Sequence, residues 1–160
     1  MKKLTVKTTV QVYHDVTELD PEDQKLLMMA HKATKDAWAP YSNFAVGAAV
    51  RLANGKYFPG SNQENAAYPT GLCAERTALS VAASRHPKSP VLALAVTVKT
   101  NTPINRPVSP CGSCRQAIFE VEQRYGENIK VIMQGETGDI YICNSIKDLL
   151  PLSFTADLLP

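Results

Sequence analysis

Cysteine is scarce in this 160-residue chain, at four residues, and tryptophan occurs once. Four thiols fall short of the dense disulfide framework that staples small secreted domains. Long apolar runs are missing too. No segment approaches the roughly 18 consecutive apolar residues of a membrane helix, so no membrane partner is expected. Dense basic runs are also absent. Lysine and arginine are scattered, from Lys2, Lys3 and Lys7 through Arg51, Lys56, Arg85 and Lys88 to Arg115 and Arg124, and the net charge is +2. A groove for nucleic acid gets little support from that distribution, and no nucleic-acid partner is expected. No internal repeat or low-complexity segment stands out. The opening stretch "MKKLTVKTTVQVY" alternates valine with threonine or lysine and lacks the apolar centre of a signal peptide. The expectation is a cytoplasmic protein, whose thiols stay reduced.

What is present is an ordinary globular composition, 44% hydrophobic and 20% charged. The length suits one domain over residues 1–160, with residues 1–18 as an N-terminal strand extension. In "LDPEDQKLLMMAHKATKDAW", Asp20 is a good N-cap, Pro21 suits the first helical position, and Leu26, Met29, Ala30, Ala33 and Ala37 share a face. His31 and Trp38 on or near this helix read as surface or core packing. Pro40 breaks the helix. "AVGAAVRL" then reads as a strand, Asn54-Gly55 as a tight hairpin turn, and "KYFPG" as its partner strand. The small residues Gly47, Ala48 and Ala49 require a close neighbour. "CAERTALSVAASRH" has helical spacing and ends before Pro87. "VLALAVTV" suits a strand buried on both faces. "SPCGSCRQAIFEVEQRYG" reads as a helix capped by Ser109, opened by Pro110 and ended by Gly126. "NIKVIMQ" and "DIYIC" read as strands and "NSIKDLLP" as a short closing helix. Helices alternating with strands argue for a mixed sheet between helices, a three-layer αβα sandwich.

Cys111 and Cys114 could be a disulfide, a redox pair, buried filler or metal ligands. A reducing location disfavours the first. Both fall in the first turn of a helix, where free N–H groups and the dipole stabilise thiolates. Two thiolates make half of a tetrahedral zinc site. Cys73 opens the second helix as Cys111 opens the third, so the two helix ends can converge with three thiolates between them. Cys143, in an apolar strand, reads as a small buried residue. A closed structural zinc site takes four protein ligands, whereas a catalytic one leaves a position for water. Glu75 shares a turn with Cys73 and could move the proton of such a water. A redox reading of "CGSC" explains neither "CAE" nor the proline before Cys111.

A ligand-x-Glu motif followed by Pro-Cys-x-x-Cys is a signature of zinc deaminases. The motifs "YSNFAVGAA", "GSNQENAAY", "CAERTA", "SPCGSCRQ" and "LLPLSF", in that order, extend the match from about Leu19 to Phe154. On these residues the chain resembles the homotetrameric zinc-dependent cytidine deaminases. The resemblance implies a mixed five-stranded sheet with helices on both faces. It also implies a homotetramer whose active sites borrow residues from neighbours. It assigns Cys73, Cys111 and Cys114 as Zn²⁺ ligands and Glu75 as the catalytic proton shuttle. Phe44 would pack on the pyrimidine, where an aromatic face suits a flat base. Asn62 and Glu64 would hold the ribose hydroxyl, with Ala74 also at the substrate. The Glu64 carboxylate would repel phosphate, which argues for a nucleoside over a nucleotide. Arg76 would sit behind the ligands and bond to cysteine sulfurs, offsetting the −1 charge of three thiolates and Zn²⁺. Phe154 would reach an adjacent subunit's pocket. Gln63 stands where the family usually has valine and Pro69 where glycine is common, and little effect is expected.

The implied reaction is hydrolytic deamination at C4 of cytidine and 2′-deoxycytidine, giving uridine or 2′-deoxyuridine and ammonia. The nearest rival is a blasticidin-S-type deaminase acting on a modified cytosine nucleoside, against which "YSNF" and "NQEN" weigh. A structural zinc or redox-thiol module would show no turnover.

Overall fold

A computed structural model of the chain describes residues 1–159. Three helices, α1 (Pro21–Ala33), α2 (Ala74–Arg85) and α3 (Gly112–Tyr125), cover the two faces of one sheet. The sheet has strands β1 (Gln11–Tyr13), β2 (Ala45–Leu52), β3 (Tyr57–Ser61), β4 (Val91–Lys99), β5 (Lys130–Gln134) and β6 (Ile140–Cys143), in the order β1-β6-β5-β4-β2-β3. Only β4 and β5 run parallel, because α3 carries the chain back between them. The architecture is the expected three-layer αβα sandwich with a mixed sheet. It has six strands rather than five, because the N-terminal extension adds β1 to the outer edge of β6. Among the described residues no helix is long and apolar enough to cross a membrane.

The period-2 alternation of β2 and β4 sorts the core. Ala49, Ala93 and Ala95 face α1, with Leu26, Leu27, Ala30 and Ile132. Val50, Leu52, Leu94 and Val96 face α2 and α3, with Ala78, Ile118 and Val131. Small residues on the first side let α1 approach closely. A Cβ on Gly47 would lie 2.1 Å from the Ala30 carbonyl oxygen, so β2 and α1 meet backbone to backbone. Gly60 on β3 does the same for α2, where a Cβ would lie 2.5 Å from the Ala74 carbonyl oxygen and from the Ala78 nitrogen. Gly55 closes the β2–β3 hairpin at φ 76°, a left-handed conformation that glycine adopts without strain. Pro59 is tolerated because β3 is an edge strand.

Local chemistry explains the helix ends. The Asp20 carboxylate accepts from the Asp23 N–H and Pro21 follows at the first position of α1. Gly126 ends α3 at φ 68°. Three expected boundaries move. The α1 helix stops at Ala33 and tightens into a 3₁₀ turn over Thr34–Asp36, with the Thr34 hydroxyl bonded to the His31 carbonyl. The chain through Trp38 then pairs with residue 63 as an isolated bridge, so Trp38 lies 60% exposed. The third helix is capped by Cys111 and not by Ser109, two residues later than expected. The closing helix is a single 3₁₀ turn, Ile146–Asp148.

Candidate active site

Two loops leave the same end of the sheet. Residues 62–73 connect β3 to α2, and residues 100–111 connect β4 to α3. The second loop is strapped down by the β5–β6 turn. The Glu136 N–H donates to the Ile104 carbonyl at 2.7 Å, and a Cβ on Gly135 would collide with the Ile104 and Arg106 carbonyls. Between the loops lies a cleft of about 610 Å³, within the range of small-ligand sites.

Cys73 and Cys111 are the N-caps of α2 and α3, both with extended backbone and neither using its thiol as a cap. Two sets of unpaired helix-end N–H groups, each with a positive dipole end, therefore flank the sulfurs. Cys114 is one turn into α3 and fully buried, Cys73 is half-buried, and Cys111 is exposed. The sulfurs of Cys73, Cys111 and Cys114 all lie within 4.8 Å of one another. Cys143 is buried in β6 and outside the cleft, as expected of a packing residue. The four cysteines form no disulfide.

The crowded sulfurs cannot all ionise independently. The Cys73 thiol is lowered to about 6, first by its hydrogen bond from Cys114 and further by Cys111 and the Arg76 charge, against the opposing effects of burial and Glu75. Cys114 is raised, because it supplies that bond and because it is buried. A cluster that holds a ready thiolate at Cys73 beside the protonated Cys114 is the arrangement a divalent metal completes by displacing the proton. Soft sulfur donors at this spacing fit zinc. Glu75 lies 4% exposed in the same turn of α2 as Cys73. Burial pushes its carboxyl up, offset in part by hydrogen bonds to its own backbone and to Cys114.

Phe44, Asn62, Glu64, Cys73, Ala74, Glu75, Cys111 and Cys114 all line the one cleft, although they come from four separate stretches of chain. Asn62 also has a structural task. Its carbonyl oxygen accepts from the Val46 N–H at 2.8 Å and its amide donates to the Phe44 carbonyl at 3.0 Å, which holds Phe44 on the cleft wall. Each of these two side-chain atoms keeps one further bonding position. Glu64 accepts from the Tyr41 N–H at 2.9 Å, and from the N–H and hydroxyl of Ser42. The hydroxyl contributes most to lowering its carboxyl, followed by the Tyr41 N–H, which keeps Glu64 anionic at neutral pH. The departing residue Gln63 donates to the Asp36 carbonyl and to the Ser61 hydroxyl, both at 3.1 Å, and pins the loop between the two.

Arg76 and Phe154 do not line this cleft. Arg76 is half-buried and acts on Cys73 through its charge. It stands at the third position of α2, in the same turn as Cys73 and Glu75, and among the described residues no hydrogen bond joins it to a cysteine sulfur. Phe154 is 55% exposed on the C-terminal segment. Tyr41 and Tyr68, packed edge to face at 6.1 Å, frame the mouth with Leu72, and Val108 and Ser109 form part of the wall. The sequence marks no site role for Tyr41, Tyr68, Leu72 or Val108, although Tyr41 and Tyr68 sit inside the motifs "YSNF" and "ENAAY".

Residues 20–126 match the family described as the cytidine and deoxycytidylate deaminase zinc-binding region. A cytidine deaminase of Halalkalibacterium halodurans is 41% identical over 134 residues, 84% of this chain and 95% of that protein. One of Sporosarcina psychrophila is 40% identical over 84% of this chain and 92% of its own length. The crystal structure of cytidine deaminase from Burkholderia pseudomallei superposes with a TM-score of 0.71 at 40% identity, covering 81% of this chain and 97% of that one. That from Mycobacterium tuberculosis gives 0.66 at 29% identity, over 85% and 99%.

Proposed function

The chain belongs to the cytidine and deoxycytidylate deaminase family, and from that premise we propose that it hydrolyses the C4 amino group of cytidine and 2′-deoxycytidine. The products are uridine or 2′-deoxyuridine and ammonia. The observation that carries this reading is the convergence of three cysteine sulfurs within 4.8 Å, beside a buried Glu75, in one nucleoside-sized cleft.

Cys73, Cys111 and Cys114 would hold zinc, leaving one tetrahedral position without a protein ligand. When bound there, zinc supplies Lewis acidity that makes water nucleophilic at neutral pH. Glu75 carries the protons. Its carboxylate takes one from the attacking water and places it on ring N3 as the C4–O bond forms. It then passes the remaining proton to the amino nitrogen, the C4–N bond breaks and ammonia leaves. Burial suits this role, because it raises the carboxyl above its ordinary pKa and so makes the protonated form a more accessible partner in proton transfer. Phe44 stacks on the pyrimidine, Ala74 offers main chain at the cleft floor, and Asn62 with Glu64 holds the sugar hydroxyls. The anionic Glu64 repels a phosphate, which favours nucleosides.

The protein would act as a homotetramer with shared sites. The support is Phe154, exposed and outside the cleft of its own chain. Four free thiols suit the reducing cytoplasm. The test is the ultraviolet absorbance of cytidine mixed with purified protein, before and after zinc chelation. A steady loss of the cytidine band that stops on chelation is expected. No change with zinc-replete protein would overturn the substrate, and turnover of blasticidin S instead would assign the alternative.

A further inference from the structure

Arg115 stands in the first turn of α3, at the positive end of the helix dipole, where a cation is disfavoured. Its guanidinium folds back past that end. Nε donates to the Pro110 carbonyl at 2.8 Å and Nη2 to the Ser109 hydroxyl at 2.9 Å. Nη1 donates to the Leu149 carbonyl at 2.8 Å, on the C-terminal segment. The first two acceptors are the residues immediately before Cys111. The next residue adds a second tie, with the Gln116 amide donating to the Phe154 carbonyl at 3.0 Å.

Cys111 needs such support. It is the exposed member of the three sulfurs and its thiol makes no cap bond. Its neighbour Gly112 has open space where a Cβ would stand, so no packing braces that side. Cys114, by contrast, is fixed by burial within α3.

We propose that Arg115 is a positioning residue that holds Cys111 in place for the metal and ties metal retention to the C-terminal segment from Leu149 to Phe154. The proposal rests on the zinc reading given above. A planar fork reaches three acceptors in fixed directions, and a lysine ammonium at the same position cannot satisfy all three. Removing a partner that orients a ligand typically weakens metal binding 10- to 100-fold.

The experiment measures zinc release from the loaded protein to excess 4-(2-pyridylazo)resorcinol. Arg115→Lys is compared with wild type, with Ser109→Ala, and with Tyr125→Phe. The last removes a bond to the Pro87 carbonyl at the far end of α3 and leaves the ligand loop alone. Release from Arg115→Lys should be about 10 to 100 times faster than from wild type. Ser109→Ala, which removes one acceptor and keeps the arginine, should show a smaller acceleration, and Tyr125→Phe none. Wild-type release from Arg115→Lys would overturn the proposal, and so would equal acceleration in Tyr125→Phe, which would signal general loosening. Should Arg115→Lys fail to fold, wild-type release from Ser109→Ala overturns it. A wild-type protein that carries no zinc would instead sink the zinc reading itself, and this proposal with it.

Discussion

Glu122 is 2% exposed near the C-terminal end of α3, and its carboxylate is the hub of three chain segments. Oε1 accepts from the Ile129 N–H at 2.8 Å and the Ile146 N–H at 3.0 Å, and the Ser145 hydroxyl reaches both oxygens at 2.9–3.0 Å. In Glu122→Ala the serine hydroxyl can rotate, but two buried backbone donors lose their acceptor. At about 1–3 kcal/mol for each unsatisfied group, less the relief of no longer burying a charge, the net loss should be about 2–4 kcal/mol. Glu122→Gln separates acceptor from charge. Its amide oxygen can stand at Oε1 and keep both N–H bonds, while its nitrogen faces a hydroxyl that can accept. Only the charge assistance is lost, so the cost should be about 1 kcal/mol. Urea unfolding followed by circular dichroism, at one protein concentration, reads both. A glutamine variant as unstable as the alanine one would refute the reasoning, since the charge and not the acceptor geometry would then dominate. An alanine variant within about 1 kcal/mol of wild type would refute it more completely, because those donors must then find other partners.

Glu75→Gln keeps volume and backbone but cannot shuttle a proton, so cytidine turnover should fall about 10²- to 10⁴-fold while zinc content stays stoichiometric; near-full turnover would remove Glu75 from the mechanism. Gly60→Ala sets a methyl 2.5 Å from the Ala74 carbonyl oxygen and the Ala78 nitrogen, which should cost about 1–3 kcal/mol in urea unfolding. It should also lower turnover, because Ala74 sits between Cys73 and Glu75; wild-type activity would show that α2 accommodates the methyl without moving the site. His14 lies 3.0 Å from Asp139 and that contact holds its pKa above the ordinary 6.5. The stabilisation is fully present below 6.5 and is lost as pH rises through the raised value, so an NMR titration of His14 should shift down in Asp139→Asn. An unchanged midpoint in that variant would show that the pair does not tether β1.

Much of the site was legible because its chemistry is local. A helix N-cap, a cysteine one turn into the helix and a glutamate two residues after another cysteine are short-range patterns, and they indicated donor type and spacing before any fold was known. The same holds for Asp20-Pro21, for Asn54-Gly55 and for the valine run of β4, each of which states its own backbone conformation. Gly47 announced a close neighbour. That the neighbour is α1, and that Gly60 serves α2 in the same way, depended on which face of the sheet each residue took.

Arg115 and Glu122 read in the sequence as ordinary charges on an amphipathic helix. The acceptor that ties Arg115 to the C-terminal segment lies 34 residues away at Leu149, and the serine that bonds Glu122 lies 23 away at Ser145, so local pattern does not mark these roles. The N-terminal alternation promised a long strand, yet only Gln11–Tyr13 pair, because β6 offers four residues before the chain turns away at Cys143. The sequence by itself therefore indicated the candidate ligands, the candidate proton carrier, the start of α1 and the end of α3, since these follow from side-chain chemistry and local backbone preference. The tertiary structure alone decided which charges are buried, how much of the N-terminal strand finds a partner, and how the exposed Cys111 is braced. Each of those depends on contacts between segments distant in the chain, and local preference carries no information about them.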